Sequence, residues 1–169
     1  MANCIDPRQE QRVWSRVMAA QAASAPEPDA CERLSRRDAP VFDEDSALEL
    51  YTAQLRAAAT YRVLSSMARG CARQSLMRLA EEKRCEAKRL AAAYFVMTGT
   101  KPCPDRPRPP CVSCLNEALR QAYREERCAA ELYRRYAERG GDHACLLENM
   151  AKRACESAQA VLCILQNTL

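Results

Sequence analysis

Three charged residues, Lys83, Glu86 and Glu126, occupy positions where the surrounding sequence predicts apolar side chains. Each falls near the middle of a stretch whose apolar residues recur every three or four positions, which places them on one face of an α-helix. An unpaired charge on an inward face is costly, so ordinary core packing does not explain these residues. The pattern indicates an active site, or the remains of one, inside a helical bundle.

Glycines and capping residues mark where the apolar stripes begin and end. All the glycines of the chain lie at predicted helix ends, and they are Gly70, Gly99, Gly140 and Gly141. Ser46, followed by Glu49, fits a capping box, and Asp142 is the expected N-cap of the last helix. The sequence therefore predicts four helices, over residues 46–69, 71–98, 113–139 and 142–166.

The connections between these helices predict the topology. Very short turns join the first two and the last two helices, so each pair should form an antiparallel hairpin. Between the hairpins lies GTKPCPDRPRPPCV, a proline-rich segment that could span ~43 Å at ~3.1 Å per residue. A helix of about 26 residues is ~39 Å long, so this segment can run the length of the bundle. The sequence predicts an all-α fold with two hairpins joined by a long crossover, the ferritin-like form of a four-helix bundle.

Residues 1–45 are predicted to form a separate N-terminal segment, with a short helix over residues 8–21 and a linker, and residues 46–169 to form the bundle. Trp14, the only tryptophan, is expected to pack rather than to anchor a partner. The net charge is only +4, and the charges are interspersed, so we expect no nucleic-acid or membrane partner. The N-terminus lacks the apolar stretch of a secretory signal, and we predict a cytoplasmic protein.

Six central positions should share one layer, because hairpin packing brings helix midpoints to the same level. The first and third helices supply one position each, and the second and fourth supply two positions three residues apart. This matches the ligand layout of di-iron carboxylate bundles, which is Glu, Glu-x-x-His, Glu, Glu-x-x-His. In chain order the six positions are Gln54, Lys83, Glu86, Glu126, Ala154 and Ser157.

With this layer, the chain resembles the rubrerythrin-like branch of the ferritin-like superfamily over residues 46–166. The similarity rests on LAEEKRCEAKRLAAAYFVMTG in the second helix and MAKRACESAQAVLCIL in the fourth. It also rests on Tyr61 and Tyr133, each of which follows a ligand position by seven residues. The resemblance implies an oxo-bridged di-iron centre that reduces peroxide or oxidises ferrous iron.

The chain departs from the ligand set of that family at five of the six positions, and only Glu126 keeps the expected residue type. The single histidine, His143, lies off the stripe. We therefore expect no metal or other cofactor, and a bundle with a non-catalytic binding or structural role. Lys83 should lie between Glu86 and Glu126 in place of the metals, with Gln54 completing the hydrogen bonds.

An alternative function is a rubrerythrin-type oxidoreductase that holds iron or manganese through an atypical ligand set. Its ligands would be Glu86 and Glu126, or Glu82 and Cys85 if the second helix were rotated by one residue. The apolar stripe argues against that rotation, because Glu82 and Cys85 are out of phase with the neighbouring leucines. For either function the protein partner is unidentified, and a homodimer is one expected assembly because ferritin-like bundles often pair.

The chain contains 11 cysteines, and we expect most of them to act as small buried hydrophobes in a reducing compartment. Cys111 and Cys114 form a C-x-x-C motif, with Cys103 upstream, and together they are a candidate thiol site. Such a motif can serve in redox chemistry or hold a metal ion. Structural zinc would need a fourth ligand besides these three cysteines. A structural or incidental role is the simpler interpretation.

Overall fold

The structure is a computed structural model, which describes residues 40–104, 108 and 110–168. The chain divides into two units, Met1–Asp38 and Ala39–Leu169. The predicted N-terminal helix, most of its linker and Trp14 lie outside the described residues, so their predicted roles stay predictions.

The described part of the chain is all-α, as the sequence predicts. Its helices are α1 (Glu44–Met67), α2 (Gly70–Thr98), α3 (Leu115–Glu138) and α4 (Ala144–Thr168), and a 3₁₀ turn, Gly141–His143, precedes α4. The predicted helix ends differ from these bounds by at most two residues. Within the described ranges, none of the helices carries an apolar run long enough to cross a bilayer.

The N-caps of α1 and α4 differ from the predicted ones. The Asp43 carboxylate accepts the Ser46 N–H at 2.9 Å, and the Ser46 hydroxyl accepts the Asp43 N–H at 2.8 Å. The capping box is therefore Asp43 with Ser46, and the predicted box of Ser46 with Glu49 is wrong because α1 begins earlier. The hydrogen bonds from Ser46, above all from its backbone N–H, hold the pKa of the Asp43 carboxyl below its usual value. Asp142 lies inside the 3₁₀ turn, which leads directly into α4, so it is not the N-cap.

Two apolar clusters form the core, one on each side of the helix midpoints. One cluster combines the starts of α1 and α4 with the ends of α2 and α3, and it includes Leu50, Leu90, Tyr133, Leu147 and Met150. The other combines the ends of α1 and α4 with the starts of α2 and α3, and it includes Leu64, Leu76, Leu119, Val161 and Ile164. The helices pack mainly as the pairs α1–α2 and α3–α4, and α2 also contacts α4 while α1 contacts α3. Most of the buried polar residues lie between the two clusters, and these are Gln54, Lys83, Glu86, Glu126 and Ser157.

Candidate functional site

Lys83 lies at the centre of a buried polar layer. α2 turns Lys83 and Glu86 inward, and each of these side chains is only 1% exposed. The Lys83 Nζ donates to Glu86 Oε2 at 3.1 Å and to Glu126 Oε2, from α3, at 2.7 Å. The ammonium therefore lies between the two carboxylates, as the sequence predicts, and it compensates charges that would otherwise be stranded in the core.

Arg153 brings a second cation to this layer from α4. Its Nε donates to Glu86 Oε1 at 3.0 Å, while 32% of its side chain stays exposed. Glu86 is thus held by Lys83 on one oxygen and by Arg153 on the other. The hydrogen bond to Glu86 raises the pKa of Arg153, so the guanidinium stays charged. The sequence analysis missed Arg153, because an arginine beside an apolar stripe usually lies in solvent and its spacing gives no other signal.

Two buried tyrosines extend the network. The Tyr61 hydroxyl donates to Glu126 Oε1 at 2.7 Å, and the Tyr133 hydroxyl accepts a hydrogen bond from Gln54 Nε2 at 2.6 Å. Burial raises the pKa of both tyrosines, and the negative charge of Glu126 raises that of Tyr61 further. Burial also raises the pKa of Glu126, although the bonds from Lys83 and Tyr61 oppose this effect.

Gln54 does not join the Lys83 cluster, so the prediction that it completes those hydrogen bonds is wrong. Its Nε2 is bonded to Tyr133, whose long side chain reaches across from α3 to α1. Its Oε1 is buried and has no hydrogen-bond partner among the described residues. The layer therefore has two parts, a charged network around Lys83 and a neutral pair formed by Gln54 and Tyr133.

The remaining predicted positions are also inside the bundle. Ala154 and Ser157 of α4 are buried, with exposed fractions of 1% and 2%. By contrast, the alternative ligands face outward, since Cys85 is exposed and the Glu82 side chain is 36% exposed and pairs with Arg78 at 3.5 Å. The alternative register of the second helix is therefore wrong.

The donor set of this layer does not fit a di-metal centre. All the carboxylate oxygens of Glu86 and Glu126 are already bonded, to Lys83, Arg153 and Tyr61. A metal ion would have to displace the Lys83 ammonium from both carboxylates against its positive charge. Among the residues that the structure describes, no three His, Cys, Asp or Glu side chains are grouped as metal ligands would be.

The described cysteines are mostly exposed, and the histidine packs against an aromatic ring. Of the nine cysteines described, seven are exposed and two, Cys128 and Cys155, are partly buried. The expectation that most cysteines are buried is therefore wrong for this part of the chain, because six of them occupy helix positions between the stripe residues and three lie in the connection between α2 and α3. The candidate thiol site residues, Cys103, Cys111 and Cys114, are all exposed. The His143 ring packs edge-on against Phe42, with ring centroids 5.4 Å apart.

Comparisons of the chain with protein-family models, with curated proteins and with solved structures find no match. The resemblance to the rubrerythrin-like branch therefore rests on the residues of this chain alone.

The buried tyrosines should ionise later than ordinary phenols. The pKa values of Tyr61 and Tyr133 are raised above the usual 10.0, so the stability that their protonated forms contribute is complete below that pH. It is lost as the pH rises through the folded-state values. A spectroscopic titration of phenolate absorbance should show a fraction of tyrosine that resists ionisation above pH 10 in the folded protein. The same fraction should ionise normally in concentrated urea, and identical curves in the two conditions would contradict the prediction.

Proposed function

We propose that this chain is a ferritin-like bundle of the rubrerythrin-like branch in which a buried ion-pair network replaces the di-iron site. The bundle then acts as a non-catalytic binding or structural module. The observation that carries this proposal is the position of the Lys83 ammonium, 3.1 Å from Glu86 and 2.7 Å from Glu126. In the family layout these three residues stand at ligand positions, and here a fixed cation supplies the positive charge that metal ions would provide.

A crossover between α2 and α3 is part of the proposal, and the two core clusters support it. The starts of α2 and α3 belong to one cluster and their ends to the other, so the two helices run in the same direction. This common direction supports a connection from Thr98 to Leu115 that returns along the bundle. A simple up-down-up-down bundle would instead reverse α3 and place the end of α2 beside the start of α3.

Spin labels at positions 96 and 117 would test this topology, attached through an unnatural amino acid. Val96 and Glu117 are both exposed. With a crossover, α2 and α3 are parallel, so Glu117 lies level with the start of α2 while Val96 lies near its end. The labels should then be ~35 Å apart, because an α-helix rises ~1.5 Å per residue. An electron–electron dipolar measurement that gives a distance of about 15 Å or less would contradict the crossover, since a direct connection brings the two sites within a helix diameter or so.

Elemental analysis after anaerobic purification tests the loss of the metal site. We expect iron and manganese well below one ion per chain and no peroxidase or ferroxidase turnover, because Lys83 and Arg153 already neutralise both carboxylates. Glu126→Ala and the matched surface variant Glu125→Ala should then have the same low metal content. About two metal ions per chain, as in di-iron bundles, lost in Glu126→Ala and kept in Glu125→Ala, would restore the oxidoreductase hypothesis.

A further inference from the structure

Arg153 connects the buried layer to an open groove on the surface of the bundle. The groove lies between α2 and α4 and has a volume of about 410 Å³. Arg89 lines it from α2, and Asn149, Lys152, Arg153 and Glu156 line it from α4. We propose that this groove binds a small oxyanion, namely a phosphate monoester or a small carboxylate. The inference goes beyond the proposed function, because it concerns the outer side of Arg153 and not the metal-ligand positions.

The charges of the groove favour an anion. Three of the five lining side chains are cationic. Arg153 is balanced by Glu86, but Arg89 and Lys152 form no ion pair with any other described residue. Glu156 is the one carboxylate that lines the groove, so a positive charge is left uncompensated. An oxyanion held between Arg89 and Lys152 would complete the charge balance.

The position of Arg153 makes the groove more than a group of surface cations. Its Nε is bonded to Glu86, whose side chain is only 1% exposed and is itself held by Lys83. A guanidinium has five N–H donors, and this anchor uses one of them. The other donors therefore have a restricted orientation before a ligand arrives, which lowers the entropy lost on binding. The planar, forked arrangement of guanidinium N–H groups matches the geometry of phosphate and carboxylate oxygens.

The other lining residues indicate the size and chemistry of the ligand. Asn149 donates its amide N–H to the Cys145 carbonyl at 2.8 Å, and its side-chain oxygen stays available as an acceptor. Together with the Glu156 carboxylate, it could accept hydrogen bonds from hydroxyl or amine groups of the ligand. The volume falls in the range of small-molecule sites. A small ligand with an anionic end and a hydroxyl or amine group fits this set.

A titration of the isotope-labelled full-length chain, followed by NMR, would test the proposal. The probes are inorganic phosphate, glycerol phosphate and succinate, each at constant ionic strength with chloride as the reference anion. We expect saturable shifts for amides around the groove on α2 and α4. Shifts with the phosphates alone or with succinate alone would assign the anionic group, and either result supports the site.

Two matched double variants decide whether the groove is responsible. Arg89→Gln/Lys152→Gln should weaken binding at least about tenfold, because charge-assisted hydrogen bonds are lost. Arg62→Gln/Arg127→Gln removes the same charge from exposed positions on α1 and α3, and it should leave the affinity unchanged. Circular dichroism would verify that both variants fold, since all four residues are exposed. Shifts that do not saturate, shifts equal to those of chloride, or equal losses in both variants would overturn the proposal.

Discussion

Lys83→Met should destabilise the bundle by about 3–5 kcal/mol, because it leaves Glu86 and Glu126 buried with too little compensating charge. Arg153 still neutralises Glu86 in this variant, but Glu126 keeps only the Tyr61 hydroxyl as a partner. Urea unfolding followed by circular dichroism would measure the change in the free energy of unfolding. The matched control is Lys88→Met, an exposed position on the same helix, which should change this free energy by about 0.5 kcal/mol or less.

The triple variant Lys83→Met/Glu86→Met/Glu126→Met should recover much of that loss. Replacing a whole buried ionic network by apolar side chains of similar size is often neutral or stabilising, whereas removing one member strands the others. Recovery will be incomplete because the Tyr61 hydroxyl loses its acceptor on Glu126. An unchanged free energy of unfolding in Lys83→Met would mean that these three residues are not buried partners. That result would remove the basis of the proposed function.

Leu76→Ala should cost about 2–5 kcal/mol, the usual range for a fully buried leucine. Leu76 is completely buried in the core cluster, whereas the adjacent Met77 is 52% exposed. Met77→Ala should therefore alter the free energy of unfolding by about 0.5 kcal/mol or less. The pair reports the rotation of α2 about its axis, since Leu76 lies two helical turns before Lys83 on the same face. Similar effects of the two substitutions, measured by urea unfolding, would mean that this face of α2 is not the buried one.

Much of the helix arrangement could be predicted from local patterns in the sequence. The apolar spacing and the glycines located all the described helices, because helix periodicity and the preference of glycine for helix ends are local properties. Gly99, for example, has φ of 71° and ends α2 where the sequence predicts it. The first N-cap was misplaced because Asp43 and Ser46 both suit that role, and only the path of the chain entering α1 selects between them.

Helix periodicity also predicted the centre of the site, but the extent of its hydrogen-bond network depended on distant parts of the chain. Lys83 and Glu86 are three residues apart on one stripe, so the helical period alone turns both inward. The buried Lys83 ammonium required hydrogen-bond acceptors, and Glu126 was the one carboxylate on a facing stripe. Arg153 and Tyr133 could not be assigned this way, because their partners depend on how far a long side chain reaches between helices.

By itself, the sequence determined how many α-helices form in the part of the chain that the structure describes. It also determined the inward face of α2 and the charged centre of the bundle. These features follow from the periodicity of a single helix and the cost of an unpaired buried charge. Only the tertiary structure decided that Gln54 pairs with Tyr133, that Arg153 secures Glu86 and that the described cysteines lie at or near the surface. Those outcomes depend on the relative rotation and height of packed helices. Contacts between residues that are far apart in the chain determine both.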